Sequence, residues 1–178
     1  SITSPEWTWV YDTVTGEWHN RASYGLPNWR VSSVVAFAGT LIAGDADNGN
    51  LYEMSADFLD EAGAPLVSSV TFSPTTAFPH RLTFHRIWFD VETGVGSGQG
   101  QAEDVDPHLM LEWSDDGGAT FKAQRRLALG GQGKRLTRVQ TARLGQCRQQ
   151  GRVFRLSCSA RVARAIYQAQ VDIEKDVA

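Results

Sequence analysis

The stretch from Leu109 to Phe121, LMLEWSDDGGATF, constrains the fold more than any other part of the chain. Its first half alternates leucine and tryptophan with Met110 and Glu112, the period of two that is typical of a strand with one buried face. Turn residues follow, because Asp side chains accept hydrogen bonds from nearby backbone N–H groups and Gly adopts positive φ without a Cβ clash. A return strand begins at Thr120. The stretch therefore predicts a β-hairpin.

The turn of this hairpin also matches the pattern Ser-x-Asp-x-Gly-x-Thr-aromatic. The pattern resembles the Asp-box of sialidases and other β-propeller proteins, where the box is a folding device at a hairpin tip and takes no part in catalysis. A turn motif implies no chemistry by itself, and a sialidase would also need an arginine cluster, a tyrosine–glutamate pair and several boxes. We therefore predict a structural turn motif made of Ser114, Asp116, Gly118, Thr120 and Phe121.

Short strand patterns separated by Gly, Pro, Asn and Asp recur along the rest of the chain. Over residues 1–75 they have the spacing of an all-β fold and resemble one blade of a β-propeller, so we predict a blade-like meander there. Residues 76–178 are predicted to form antiparallel sheets arranged like a β-sandwich, although the two parts can also be read as one compact unit. Within them, residues 82–91 predict a central strand because both faces are largely apolar. The strand-like text at the start of the chain suggests a piece of a longer polypeptide.

A glycine-rich segment and two cysteines could be mistaken for a cofactor site and a metal site. Residues 93–106, TGVGSGQGQAEDVD, have a GxGxGxG spacing followed by a strand, whereas a nucleotide-binding turn needs GxGxxG followed by a helix. We predict a mobile loop there. Cys147 and Cys158 lack close CxxC spacing and partner histidines, which predicts small buried thiols. The sequence thus predicts no catalytic residue, no cofactor and no metal site, and no apolar run approaches the ~20 residues that span a bilayer.

Charge is unevenly distributed along the chain. Residues 117–164 contain twelve of the 17 Lys and Arg residues and no Asp or Glu, although the formal net charge of the chain is -3. Such a segment can bind phosphate, or it can pair with acidic strands of the same chain or of a neighbouring subunit. We favour the second reading because the whole chain is acidic and because the planar fork of Arg binds carboxylates through two hydrogen bonds. The predicted interface residues are Arg125, Arg126, Arg135, Arg138, Arg143, Arg152 and Arg155.

An ordered series of short motifs extends over nearly the whole chain. The series comprises the hairpin text from Trp9 to His19, the Gly44 to Tyr52 element, residues 91–96, Asp106-Pro107, the turn at 114–121, and residues 129–133, 143–145 and 153–155. In this order the motifs resemble the C-terminal part of the packaged-DNA stabilisation proteins, or tail accessory factors, of short-tailed phages.

The resemblance implies a non-enzymatic virion structural protein, made in the bacterial cytoplasm and located at the head-to-tail junction. Such a protein helps to close the portal channel, retain packaged DNA and attach tail components. The implied partners are other tail and portal subunits and further copies of the chain. Direct DNA contact is a less favoured alternative, and no membrane partner is expected.

The alternative from another class is a carbohydrate-binding or sialidase-like β-propeller protein. Its support is the turn motif together with Trp7, Trp9, Trp18 and Trp29, which can stack on sugars. Against it, alternating aromatic residues more often belong to a core, and no two carboxylates stand out as an acid and a nucleophile.

Overall fold

Antiparallel strands form nearly all of the regular structure in residues 6–176, the part of the chain that the computed structural model describes (without the side chain of Ala123). The one helix in this part, α1 (Ala102–Val105), has four residues. No helix among the described residues is long and apolar enough to cross a membrane. The predicted all-β class with antiparallel sheets is confirmed. The chain divides into two compact units between Leu66 and Val67, upstream of the boundary that the sequence predicts.

The first unit consists of small antiparallel sheets. β1 (Trp9–Tyr11) pairs with β2 (Trp18–Asn20), and β6 (Asp60–Glu61) pairs with β7 (Ala64–Pro65). Between them, three strands form a meander: β3 (Val31–Phe37), β4 (Thr40–Asp45) and β5 (Leu51–Met54). No closed sheet is present in the described residues of this unit, so the blade-like architecture is not confirmed.

Asp side chains shape the turns of the first unit. Asp12 Oδ1 accepts a hydrogen bond from the backbone N–H of Val14 at 2.8 Å, and Gly16 then adopts a φ of 75° before β2 begins. Asp45 Oδ1 accepts in the same way from the N–H of Asp47 at 2.8 Å after β4. These are local interactions of the kind that favour Asp and Gly in tight turns.

Few side chains are buried in the first unit. Among its described residues, Ser23, Ala43 and Asp45 are the buried ones. Large apolar side chains are instead exposed, among them Trp18 at 65% and Phe37 at 72%. Hydrophobic burial within this part of the unit therefore contributes little to its stability.

Two sheets form the second unit. Its strands are β8 (Ser68–Thr71), β9 (Leu82–Val91), β10 (His108–Ser114), β11 (Lys122–Ala128), β12 (Val139–Gln146), β13 (Val153–Cys158) and β14 (Ile166–Lys175). One sheet has the order β11-β10-β13-β8 and the other the order β12-β9-β14. The predicted hairpin is present, since β10 and β11 pair directly. Because β8 pairs with β13, residues 68–71 belong to this unit rather than to the first.

Both sheets contribute to one hydrophobic core. Phe84 of β9 and Leu111 of β10 are 1% and 0% exposed, and they belong to the same buried cluster as Leu156 of β13. The ring of Phe84 meets the ring of Phe154 edge-on, with centroids 5.5 Å apart. A single core between two facing sheets makes the second unit a β-sandwich.

The central strand β9 differs from its prediction in one respect. It lies in the middle of its sheet, as the sequence predicts, but His85, Arg86 and Asp90 are exposed. Only one of its faces is fully covered, because this sheet forms an outer layer of a two-layer fold. Trp88, on the outer face, is half-buried.

Residues 93–106, predicted to be a mobile loop, are packed and hydrogen-bonded in the structure. The N–H of Gly94 donates to the carbonyl of Leu129 at 2.9 Å, and the N–H of Ser97 donates to the carbonyl of Asp104 at 2.7 Å. Gly96 is buried so closely that an added Cβ would lie 2.5 Å from the carbonyl oxygen of Val105. The glycines of this segment therefore permit a close approach of backbone to backbone.

Candidate interface site

The predicted turn motif forms a closed set of hydrogen bonds at the tip of the β10–β11 hairpin. Ser114, which is 0% exposed, donates its hydroxyl to Asp116 and accepts the N–H of Gly118 at 2.8 Å. Asp116 Oδ1 accepts the N–H of Thr120 at 2.9 Å. The hydroxyl groups of Ser114 and Thr120 hold the pKa of Asp116 well below its usual range. The polar groups of the motif thus bind one another, which is the geometry of a structural turn.

Arg152 is buried, with 2% of its surface exposed. Its Nε and Nη2 atoms donate to the two carboxylate oxygens of Asp115 at 2.6 and 2.9 Å, a bidentate pair. Its guanidinium also donates to the carbonyls of Leu144 at 2.7 Å and Gln146 at 3.1 Å. This one side chain therefore joins the start of β13 to the hairpin turn and to the C-terminal end of β12.

Two aromatic rings surround the same guanidinium. Its central carbon lies 4.8 Å from the ring centroid of Phe84 and 5.5 Å from that of Trp113. Arg152 consequently does not fit the interface role predicted from the sequence, because it has no surface left for a partner. The strand pattern alone could not reveal this, since its acceptors are carbonyl groups and a carboxylate brought together by the fold.

Two further arginines of the predicted set bind within the second unit. Arg125 donates from Nη1 to the Thr141 hydroxyl at 2.9 Å and to the Ala142 carbonyl at 2.7 Å. Arg155 pairs with Glu112 at 2.8 Å, and its guanidinium lies 3.8 Å from the ring centroid of Phe121. Both side chains are only half-buried, so each retains some accessible surface.

The remaining four predicted arginines are exposed. They lie on β11, on β12 and on the connection between these strands: Arg126, Arg135, Arg138 and Arg143. Lys122, Lys134 and Arg148 of the same basic segment are exposed as well. The structure thus separates a surface-exposed basic set from the arginines that stabilise the fold.

The first unit contains a cavity of about 330 Å³. Trp29 lines it, donating its indole N–H to Glu61 at 3.0 Å while the Arg21 guanidinium lies 4.1 Å above its ring. The Arg30–Asp45 ion pair also lines the cavity, with Arg30 Nη2 and Asp45 Oδ2 2.5 Å apart. Burial opposes ionisation of Asp45, but the backbone N–H groups and the Arg30 guanidinium leave its pKa below the usual range. Because the Arg21 guanidinium stacks on the Trp29 ring, one face of that ring is already covered.

The cysteines and carboxylates do not converge on a common site. Cys147 and Cys158 are unpaired thiols, 3% and 2% exposed, as the sequence predicts. Within residues 6–176, no group of three or more His, Cys, Asp and Glu side chains is placed to hold a metal ion.

Comparison with known proteins identifies a protein family whose model matches the second unit. Residues 76–174 match the family model described as "Bacteriophage P22 Gp10, beta-sandwich". The match covers more than half of the 178 residues and includes β9 to β13 together with nearly all of β14. A search of curated proteins found no match.

Proposed function

The chain belongs to the Bacteriophage P22 Gp10 beta-sandwich family and is accordingly a phage structural protein, and from this premise we propose a role at the head-to-tail junction of the virion. In this role it helps to close the portal channel, retain packaged DNA and attach tail components. The protein acts without catalysis and without a cofactor, as one of several copies in contact with portal and tail subunits. It corresponds to the C-terminal part of a packaged-DNA stabilisation protein.

The observation that carries this proposal is the family match over the two-sheet body of the second unit. A sandwich with one shared core is a stiff element, because close-packed interiors resist deformation. The exposed arginines on its surface offer planar donors for carboxylates of neighbouring subunits. A junction protein needs these two properties, a rigid body and specific contact surfaces.

The same proposal includes the prediction that the first unit is one blade of a β-propeller. Its three-stranded meander and its exposed apolar side chains are those expected of a sheet that neighbouring blades cover in a propeller. The carbohydrate-binding alternative has less support, since the Asp116 carboxylate is occupied within its own turn and one face of Trp29 is covered by Arg21, although Trp7, Trp9 and Trp18 are exposed. A glycan-binding screen separates the two functions, because micromolar affinity for a defined sugar would favour the alternative.

Antibody labelling of phage particles, viewed by electron microscopy, tests the proposed role. We expect label at the vertex where head and tail meet. Particles that lack the protein, or that display it only elsewhere, would rule out a junction role. Particles depleted of the protein should also lose packaged DNA more readily than complete ones.

A further inference from the structure

β11 and β12 form one lateral side of the sandwich. Each is an edge strand of its sheet, and Arg125 of β11 donates to the Thr141 hydroxyl and the Ala142 carbonyl of β12. We name this side, with the connection between the two strands, the basic side (residues 122–146). It contains seven Lys and Arg residues and no Asp or Glu, and six of the seven are exposed: Lys122, Arg126, Lys134, Arg135, Arg138 and Arg143. Asp90 of the neighbouring strand β9 lies beside Arg135 and Arg138, which leaves an excess of positive charge there.

The backbone of the basic side is already occupied along β12. The carbonyls of residues 142, 143, 144 and 146 accept hydrogen bonds from the guanidinium groups of Arg125 and Arg152, at 2.7 to 3.2 Å. A strand that adds to a sheet edge needs free backbone groups on that edge. A partner therefore meets this side through its exposed side chains.

The backbone also fixes the points from which two of these cations project. Arg143 lies where the pairing of β12 with β9 shifts register, and its φ of 60° is uncommon for a residue with a Cβ. Such bulges redirect a side chain out of the alternation of the strand. The carbonyl of Arg135 accepts the Thr93 hydroxyl at 2.7 Å. Fixed attachment points reduce the entropy that a side chain loses on binding.

The first unit has the opposite charge. Residues 6–66 contain nine Asp and Glu residues, whereas their Lys and Arg residues are Arg21 and Arg30 alone. Both cations are half-buried and engaged, since Arg21 stacks on Trp29 and Arg30 pairs with Asp45. The surface charge of this unit is therefore mainly that of its exposed carboxylates: Glu6, Glu17, Asp47, Glu53 and Asp57.

Three of these carboxylates lie in the connections between strands. Glu17 precedes β2, Asp47 lies between β4 and β5, and Asp57 follows β5. We name these three positions the acidic turns. Connections run over the surface at the ends of strands, so they stay accessible when neighbouring blades cover the faces of a sheet.

We propose that copies of this chain associate through these unlike surfaces, with the basic side of one copy bound to the acidic turns of the next. Exposed arginines then donate paired hydrogen bonds to carboxylates. Two basic sides repel each other, which disfavours a two-fold contact. A contact between unlike surfaces repeats from copy to copy and closes into a ring when the rotation allows it. The inference rests on the proposed function, which requires several copies in the virion, and it names the two surfaces that meet.

Zero-length cross-linking with a carbodiimide tests the contact, because the reagent joins a carboxylate directly to an amine beside it. The three lysines of the chain are Lys122 and Lys134 on the basic side and Lys175 on β14. In a mixture of isotope-labelled and unlabelled chains, we expect mixed links from Lys122 or Lys134 to the acidic turns. Lys175 is the internal control, since it is exposed but lies outside the basic side. Links confined to one copy, or mixed links that avoid the first unit, would overturn the proposal.

Charge reversal provides a second measurement. We expect Arg135→Glu combined with Arg138→Glu to weaken self-association about tenfold or more in sedimentation equilibrium, because attraction at the contact becomes repulsion. Lys175→Glu makes the same change of sign outside the basic side and should leave the association constant unchanged. Association of the unaltered chain should also weaken as salt is added. A chain that stays monomeric at low salt, or a double variant that associates as well as the unaltered chain, would contradict the contact.

Duplex DNA is the competing partner, since phosphates also attract exposed Lys and Arg. A short duplex added at physiological salt should leave the mixed links in place. If the duplex binds and abolishes them, the basic side is a nucleic-acid surface and the proposal is wrong.

These outcomes are distinct from those of the labelling experiment. A chain that forms the mixed links but is absent from virions would contradict the junction role and leave the contact standing. A chain located at the junction that forms no mixed links would do the reverse.

Discussion

Arg152 and Asp115, 37 residues apart in sequence, form a bidentate ion pair that joins the start of β13 to the turn after β10. The pair connects two neighbouring strands of one sheet, and the guanidinium also binds carbonyls at the end of β12 in the other sheet. The stability of the sandwich should therefore respond strongly to this residue.

We expect Arg152→Ala to destabilise the protein by about 3–5 kcal/mol, because it removes a buried guanidinium together with the hydrogen bonds that it donates to the Asp115 carboxylate and to backbone carbonyls of β12. Urea unfolding followed by tryptophan fluorescence measures the change. Arg152→Lys should restore only part of the loss, since an ammonium group lacks the planar fork. Arg126→Ala is the control, an exposed arginine on β11. A loss below about 1 kcal/mol for Arg152→Ala would show that the pair does not stabilise the fold.

Asp116 should make the stability of the second unit depend on pH. Its pKa is lowered in the folded state, so its contribution is fully present above the pKa of the unfolded carboxyl, about 3.9, and decreases as the pH falls below that value. Asp116→Asn should therefore be less stable than the unaltered protein at pH 7, and the difference should narrow in acid. Urea midpoints of both proteins from pH 7 down to pH 2 measure this. The exposed carboxylate Glu103, changed to Gln, is the control, and a difference that widens in acid would contradict the assignment.

Gly96 should tolerate no side chain. Gly96→Ala would place a Cβ 2.5 Å from the Val105 carbonyl oxygen and 2.8 Å from the Gly131 Cα, and both are backbone atoms that cannot rotate away. We expect a loss of about 1–3 kcal/mol in thermal or urea unfolding. Gly98→Ala is the matched control in the same segment, because its nearest contact is the flexible end of Gln132. Equal effects of the two substitutions would mean that the segment is not packed as the structure shows.

Leu111→Ala should reduce the free energy of unfolding by about 2–5 kcal/mol, since Leu111 is 0% exposed in the core between the sheets. Leu136→Ala removes the same atoms from an exposed position and should change the free energy of unfolding by less than about 0.5 kcal/mol. Comparable losses at both positions would contradict the location of the core.

Much of the fold could be predicted from the sequence because its signals are local. Alternating apolar residues indicated the antiparallel strands, and the turn residues at 114–121 indicated the hairpin between β10 and β11. The position of β9 at the centre of its sheet was also predicted correctly. The blade-like meander of the first unit was not confirmed, since three paired strands do not establish how a larger sheet continues.

The candidate site was predictable only in part. The basic segment was visible in the sequence, but nothing in it separated the exposed Arg126 from the buried Arg152. The packed form of residues 93–106 was missed as well, because glycine is common both in loops that move and in backbones that pack closely.

The sequence by itself determined the features that depend on residues close together in the chain. These are the strand period, the Asp and Gly turns, and the hydrogen-bonded tip from Ser114 to Thr120. Only the tertiary structure decided that Arg152 is buried, that β8 joins the second unit, and that the two sheets share one core. The physical reason is the separation in sequence between the residues that interact. A turn is stabilised by partners a few residues apart, whereas a buried ion pair or a sheet edge depends on which distant strands come together.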